Sequence, residues 1–202
     1  MIKVTVNNGM ANVLNSHLNA GITCDIASDE KITACLLSLA SNVQTQSQLN
    51  PYLTSLPQQL SQYLPVDKIW FSEVILSPDI QDLGCPIYHN QMALLTFSKP
   101  LLYTNLHDIS KQLETRAHRH NFAKPMVTLD VDIIAVEVQT TTTSSPIKNW
   151  TAITRRLPLA SYEKQGLTNL WEKMSLSNSE RANMTLLQNQ QFFKGLLNDD
   201  MV

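Results

Sequence analysis

Glycine is scarce in this chain: 202 residues contain 5. A P-loop needs two glycines at fixed spacing before Lys-Ser/Thr, and a dinucleotide fingerprint needs three. Gly9, Gly21, Gly84, Gly166 and Gly195 are too scattered for either, so a glycine-rich phosphate cradle is excluded. An excess of one charge is lacking too. Fifteen Lys and Arg against 17 Asp and Glu leave a formal net charge of -2, with no electrostatic footprint for nucleic acid or an anionic membrane. Cysteine is limited to Cys24, Cys35 and Cys85. An odd count without a CxxC pair suggests neither a disulfide framework nor a zinc site, and free thiols fit the reducing cytoplasm. No apolar run approaches the ~18 residues of a membrane span. The segment 1–6 alternates like a strand and lacks the long apolar centre of a signal peptide.

What is present reads as globular, since 43% of residues are hydrophobic and 16% charged. The length suits one domain with appendages, able to bury about 70% of its unfolded surface. Residues 2–6 read as a short strand and 10–18 as a weak helix. Residues 32–39 (ITACLLSL) are almost continuously apolar, as in a strand buried on both faces. A helix is expected over 50–64, with Pro51 in its first turn and Leu53, Leu56 and Leu60 on one face. Pro57 predicts that it is short or kinked. Strands are expected over 68–76 and 89–98, parted by a loop at 79–87. A helix over 103–116 is expected to be capped by Thr104 or Asn105.

Residues 129–138 (LDVDIIAVEV) form the clearest strand, β-branched and alternating in its first half. The polar tract 139–146 reads as an exposed loop or hairpin tip, and 151–157 as an edge strand closed by Pro158. Helices follow over 161–174 and 178–198, the second capped by Ser177 or Ser179. The order of elements is that of a split βαβ, an α+β sandwich. The expected division is an N-terminal extension (1–31), an α+β domain (32–174) and a helical tail packed on it (175–202).

Asp130-Val131-Asp132 lies within the best strand. Alternation puts both carboxylates on one face, with Cα atoms roughly 7 Å apart. Such a pair repels itself unless a cation sits between, and hard oxygen ligands at this spacing suit Mg²⁺. The alternative is a solvated strand face, where aspartate is disfavoured. Arg116, His118, Arg119, His120 and Lys124 form a local basic run, fit for a small anion or simply a solvated helix end. The five histidines make no metal spacing, and Cys85 reads as packing.

Thr128-Leu129-Asp130-Val131-Asp132-Ile133-Ile134 resembles the signature of the 6-hydroxymethyl-7,8-dihydropterin pyrophosphokinase family. Ala40-Ser41-Asn42 resembles the family's Gly-Ser-Asn. Ser77-Pro78 resembles its Thr-Pro, and Pro86-Ile87-Tyr88-His89-Asn90 its Pro-x-Tyr-x-Asn. Glu114 and Arg119 fall where the family has a glutamate and, five residues on, an arginine. Leu157-Pro158 and Gly166-Leu167 resemble two late elements. The resemblance runs from about Ile32 to Leu167.

It implies a ferredoxin-like α+β sandwich with a mainly antiparallel sheet. It implies pyrophosphoryl transfer from ATP to the pterin's hydroxymethyl oxygen, a step of folate biosynthesis that yields AMP. By resemblance, Asp130 and Asp132 would bind two Mg²⁺ ions, and Arg119 would act with them on the phosphates. Asn90 would bond the pterin edge. Ser77, Pro78, Tyr88 and Leu167 would line its pocket, braced by Asn42, although Tyr88 could equally be core packing. Glu114, Arg116, Lys124 and Pro158 would serve the nucleotide. The implied partners are the two small substrates, without nucleic acid or membrane, the protein being a monomer or weak dimer.

The chain departs from the family at four places. Val127 stands where the family has an arginine, Leu159-Ala160 replace its His-Tyr, Leu167 replaces a stacking phenylalanine, and the loop from Arg119 to Thr128 is two residues shorter. A non-catalytic relative that binds a ligand or partner, and an unrelated module with a chance DxD, are the alternatives.

Overall fold

The computed structural model describes residues 26–43, 51–78, 87–117, 127–141, 146–176 and 180–199. The expected strand at 2–6, the helix at 10–18, the helix caps Ser177 and Ser179, and Cys85 lie outside these residues.

Strand β1 (Lys31–Ser41) is buried along nearly its whole length. An unbroken apolar run demands partners on both edges and cover on both faces, and it has them. It pairs with β4 (Tyr88–Leu102) on one side and β5 (Asp130–Thr141) on the other, both antiparallel. Helix α1 (Pro51–Tyr63) starts on its proline and buries Leu53, Leu56 and Leu60, as read from sequence. The shortening expected at Pro57 does not occur: the helix spans 13 residues with Pro57 inside it. Leu56 and Leu60 flank it and are packed in the core, and that packing outweighs the lost backbone bond.

The single strand expected at 68–76 is two strands, β2 (Val66–Phe71) and β3 (Ile75–Ser77), both antiparallel to β4. Ser72 parts them. Its N–H donates to the Met92 carbonyl at 2.9 Å, and its Oγ accepts from the Met92 N–H at 2.9 Å. The hydroxyl takes the place of a backbone carbonyl, so the chain can leave the ladder for three residues.

Helix α2 (Tyr103–Arg116) has the expected span, but neither Thr104 nor Asn105 caps it. Leu102 holds the cap position without a side-chain bond, because β4 runs straight into the helix. The orphan N–H groups are met by backbone carbonyls instead: Tyr103 N–H donates to Glu30 at 2.9 Å and Thr104 N–H to Ser28 at 3.4 Å. The polar tract is shorter than expected, since β5 continues to Thr141 and β6 begins at Pro146. Strand β6 (Pro146–Ala152) is the edge strand, displaced from the expected 151–157. Residues Thr154–Arg156 form a 3₁₀ turn. Helices α3 (Ser161–Ser175) and α4 (Glu180–Asn198) follow.

The sheet order is β2-β4-β1-β5-β6, with β3 also on β4. Among the described residues, six antiparallel strands and four helices make a ferredoxin-like α+β sandwich. One core holds Leu37, Leu39, Leu95 and Val136 under α1 and α2. The other holds Leu36, Leu94, Ile134 and Ala135 under α3 and α4. The C-terminal helix belongs to the second core through Phe192 and Phe193, whose rings lie 5.6 and 5.3 Å from that of Trp150. Cys35 is fully buried in the first core, and burial pushes its thiol far above the usual range.

Gly166 sets how closely α3 approaches the sheet. A Cβ there would lie 2.7 Å from Met92 Cγ. In an open helix Gly→Ala stabilises by about 1 kcal/mol; here overpacking reverses the sign. Gly166→Ala is expected to destabilise by about 1–3 kcal/mol, read as a lower urea midpoint. Met92→Ala/Gly166→Ala should cost less than the sum of the single changes. An unchanged midpoint in Gly166→Ala would remove the close approach from the account.

Candidate functional site

Strand β5 carries an irregularity on which the site depends. Ala135 pairs with Leu36 and Ile133 with Leu37, so Ile134 is an extra residue. A bulge of this kind shifts side-chain parity. After it, Val136 and Val138 face the core under α1 and α2; before it, Val131 and Ile133 do. Asp130 and Asp132 therefore face the other side, the α3 side, together as expected. Without the extra residue their parity would match that of Val136, and both would point into the first core.

The register sets a row across the sheet. Ala40 of β1 pairs with Asn90 of β4 on one edge and Asp130 of β5 on the other, and Asn90 pairs with Ile75 of β3. Asn90 and Asp130 are thus two strands apart, roughly 10 Å, with only an alanine between. Asn90 is buried, and its amide donates to Ser77 Oγ at 2.8 Å and to the Ile75 carbonyl at 3.2 Å. Tyr88 is half-buried opposite Ser77, and Pro78 is exposed beyond it. Four of the expected pterin-side residues are thereby gathered at one end of β3 and β4.

Asn42 is buried and braces the backbone leading into β5. Its Oδ1 accepts from the Val127 N–H at 2.6 Å, and its own N–H donates to the Val127 carbonyl at 2.9 Å. Glu114 is also buried. Its Oε1 accepts from the Val131 N–H at 3.2 Å, between the two aspartates, and from Lys111 Nζ at 2.7 Å. These bonds tie β5 to the helix, so Glu114 holds the strand that carries the acidic pair.

Other expected residues stand apart. Arg116 is exposed, its guanidinium 4.5 Å over the Tyr63 ring and donating to the Tyr63 hydroxyl. Leu167 is buried in the second core, and Leu159 is buried with it. Pro158 is exposed and follows a cis peptide bond. Arg119 and Lys124 lie outside the described residues.

The cation beside the pair is one that sequence reading missed. Arg156, on the 3₁₀ turn, places Nη2 3.0 Å from Asp132 Oδ2 and 3.1 Å from Glu163 Oε1. Glu163 sits in the first turn of α3, and its other oxygen accepts from the Ala160 N–H at 2.9 Å. Alanine has no side-chain acceptor, so the carboxylate makes this half of a capping box alone. The signal in the sequence is Arg155-Arg156 just before Leu157-Pro158. It is hidden when 151–157 is read as a strand, because a strand would carry Arg156 past the aspartates.

A groove of about 300 Å³ runs beside Asp132, lined by His107 and Lys111 of α2, Val131, Asp132 and Ile133 of β5, and Arg155 and Arg156; Asp130 and Asn90 are not in its lining. Burial, then the neighbouring Asp130, hold the Asp132 carboxyl above its ordinary range, although Arg156 and Lys111 pull it down and Glu114 adds to the rise. Two hard carboxylate oxygens on one face fit a divalent cation. The Tyr162 phenol is pushed up by burial and by Glu163, so it stays protonated as a donor.

The chain matches no protein-family model and no curated protein sequence.

The raised Asp132 carboxyl has a consequence for stability. The folded protein binds its proton more tightly than the unfolded chain does. The stability tied to that proton is complete below the ordinary carboxylate pKa and is lost as pH rises through the raised one. In divalent-free buffer, Asp132→Asn is therefore expected to raise the urea midpoint at about pH 7 and to leave it unchanged at about pH 3. A lower midpoint at neutral pH would mean that Arg156 already satisfies the carboxylate.

Proposed function

We propose that this protein transfers a pyrophosphoryl group from ATP to the hydroxymethyl oxygen of 6-hydroxymethyl-7,8-dihydropterin, releasing AMP. The observation that carries this reading is the row of Asn90, Ala40 and Asp130 across three strands. It puts an amide able to donate and accept two strands from the acidic pair, in one row of the sheet.

In this reading the pterin lies toward Asn90, Ser77 and Tyr88, and the triphosphate lies toward Lys111, Arg155 and Arg156. Asp130 and Asp132 would hold two Mg²⁺ ions, which when bound neutralise charge on the phosphates and align the attacking and leaving oxygens. The hydroxymethyl oxygen attacks the β-phosphorus, the bond from that phosphorus to the oxygen bridging to the α-phosphate breaks, and the hydroxyl proton is released. The chain's own part is positioning. Asn42 and Glu114 fix β5 from its two flanks, Asn90 orients the pterin edge, and the basic groove takes the phosphates. Arg119 and Lys124 are assigned to the phosphates by the same reading.

The reading places the protein in the cytoplasm, where a reduced Cys35 is at home. Among the described residues no helix is long and apolar enough to cross a membrane. Both substrates are small molecules, and the reaction calls for no nucleic acid or membrane and can run in a monomer. A binding-only scaffold is the second reading. It is favoured by Leu159, which is core packing where the resembling family has a nucleotide-contacting histidine.

The wild-type protein is expected to form AMP from ATP only when the pterin is present, and Asp132→Ala to lower that rate by at least about a hundredfold. Equal background in both proteins would end the catalytic reading. Calorimetric binding of pterin and of Mg²⁺–nucleotide without AMP formation would select the scaffold reading.

A further inference from the structure

Arg156 is shared by two carboxylates of very different burial. Glu163 is 3% exposed and Asp132 30%, and a single guanidinium nitrogen serves both. The Glu163 end is fixed, because that carboxylate also accepts from the Ala160 N–H at the start of α3. The Asp132 end opens on the groove. A guanidinium has five N–H donors, and the Arg156 Nε–H is buried with no partner in the protein. Its donors are thus under-used in the state described.

We propose that Arg156 is the exchangeable counter-ion of Asp132 and a positioning residue for bound phosphates. It pairs with Asp132 in the metal-free protein and yields that oxygen when a divalent cation arrives. Glu163 then keeps it at the groove, with its released N–H groups turned to the phosphate oxygens. The inference rests on the reading of Asp130 and Asp132 as metal ligands. Two features support the exchange. A divalent ion binds carboxylate oxygen directly with twice the charge, so it displaces a hydrogen-bonded guanidinium from a half-exposed partner. And a planar fork held from behind by a buried carboxylate is suited to paired phosphate oxygens.

The test is Mn²⁺ binding to the full chain without nucleotide, with free Mn²⁺ followed by electron paramagnetic resonance. Arg156→Met removes the competitor and should tighten Mn²⁺ binding by roughly tenfold. Glu163→Gln leaves Arg156 resting on Asp132 alone and should weaken it several-fold. At saturating Mg²⁺, a non-hydrolysable ATP analogue should bind Arg156→Met roughly tenfold more weakly. Asp132→Ala should abolish Mn²⁺ binding at this site. If it binds Mn²⁺ as wild type does, the metal reading itself fails. If it loses Mn²⁺ while Arg156→Met shows unchanged or weaker affinity, the counter-ion role is overturned and the metal reading stands. Should Arg156→Met fail to fold, Glu163→Gln decides alone: unchanged or tighter Mn²⁺ binding overturns the proposal.

Discussion

A carboxylate cannot share a strand face with an apolar core unless something pairs with it. In β5 the two requirements meet within nine residues, since Val136 and Val138 belong under α1 and α2 while Asp130 and Asp132 must reach an opening. The extra residue Ile134 reconciles them. It lets Val131 and Ile133 resume the apolar face and turns the aspartates to the other side. The same bulge leaves the Ile134 carbonyl to accept from the Ile153 N–H at 2.8 Å. That bond leads the chain off β6 and into the turn that carries Arg156. One local irregularity thus sets both the direction of the acidic pair and the place of its cation.

The central strand explains why the groove beside Asp132 lies where it does. From Ile32 to Leu39, β1 is covered on both faces by helices, and that stretch leaves no room for a ligand. At its far end the side chains become small or polar: Ser38 lies opposite Asp132, and Ala40 opposite Asp130. Two carboxylate–cation groups then bracket β5 from its two sides. Glu114 and Lys111 of α2 hold the backbone at Val131 on one side, and Glu163 and Arg156 meet Asp132 on the other. Each joins a buried carboxylate to a more exposed cation, so the apolar interior is not asked to hold an unpaired charge.

Elements defined by their own apolar period were legible in the sequence. The run at β1, the spacing of Leu53, Leu56 and Leu60, and the span of α2 needed no tertiary information. Elements set by a partner were not. The break at Ser72 exists because its hydroxyl meets the Met92 N–H on the neighbouring strand. The missing cap on α2 is supplied by carbonyls of Glu30 and Ser28, more than 70 residues upstream. Pro57 does not shorten α1, because burial of its neighbours overrides a local preference. The acidic pair was legible, since Asp-Val-Asp in a strand states its own geometry. Arg156 was not, because its position depends on a bulge in another strand and on the exit of β6 toward α3.

The departures from the resembling family take on a different meaning beside this geometry. Val127 brings no charge, but its backbone is what Asn42 grips, so it helps to align the chain entering β5. Leu159 faces the second core rather than a ligand, and helps to seat the start of α3, where Glu163 lies. Under the proposed function, positive charge has moved from the segment before β5 to the turn after β6. An arginine arriving from that side approaches Asp132 itself, and is anchored by a carboxylate that the fold already needs at the N-terminus of α3. Under that proposal, a cation held in this way can pair with Asp132 and still be available to an incoming phosphate. An arginine fixed on the backbone side of β5 could not do both.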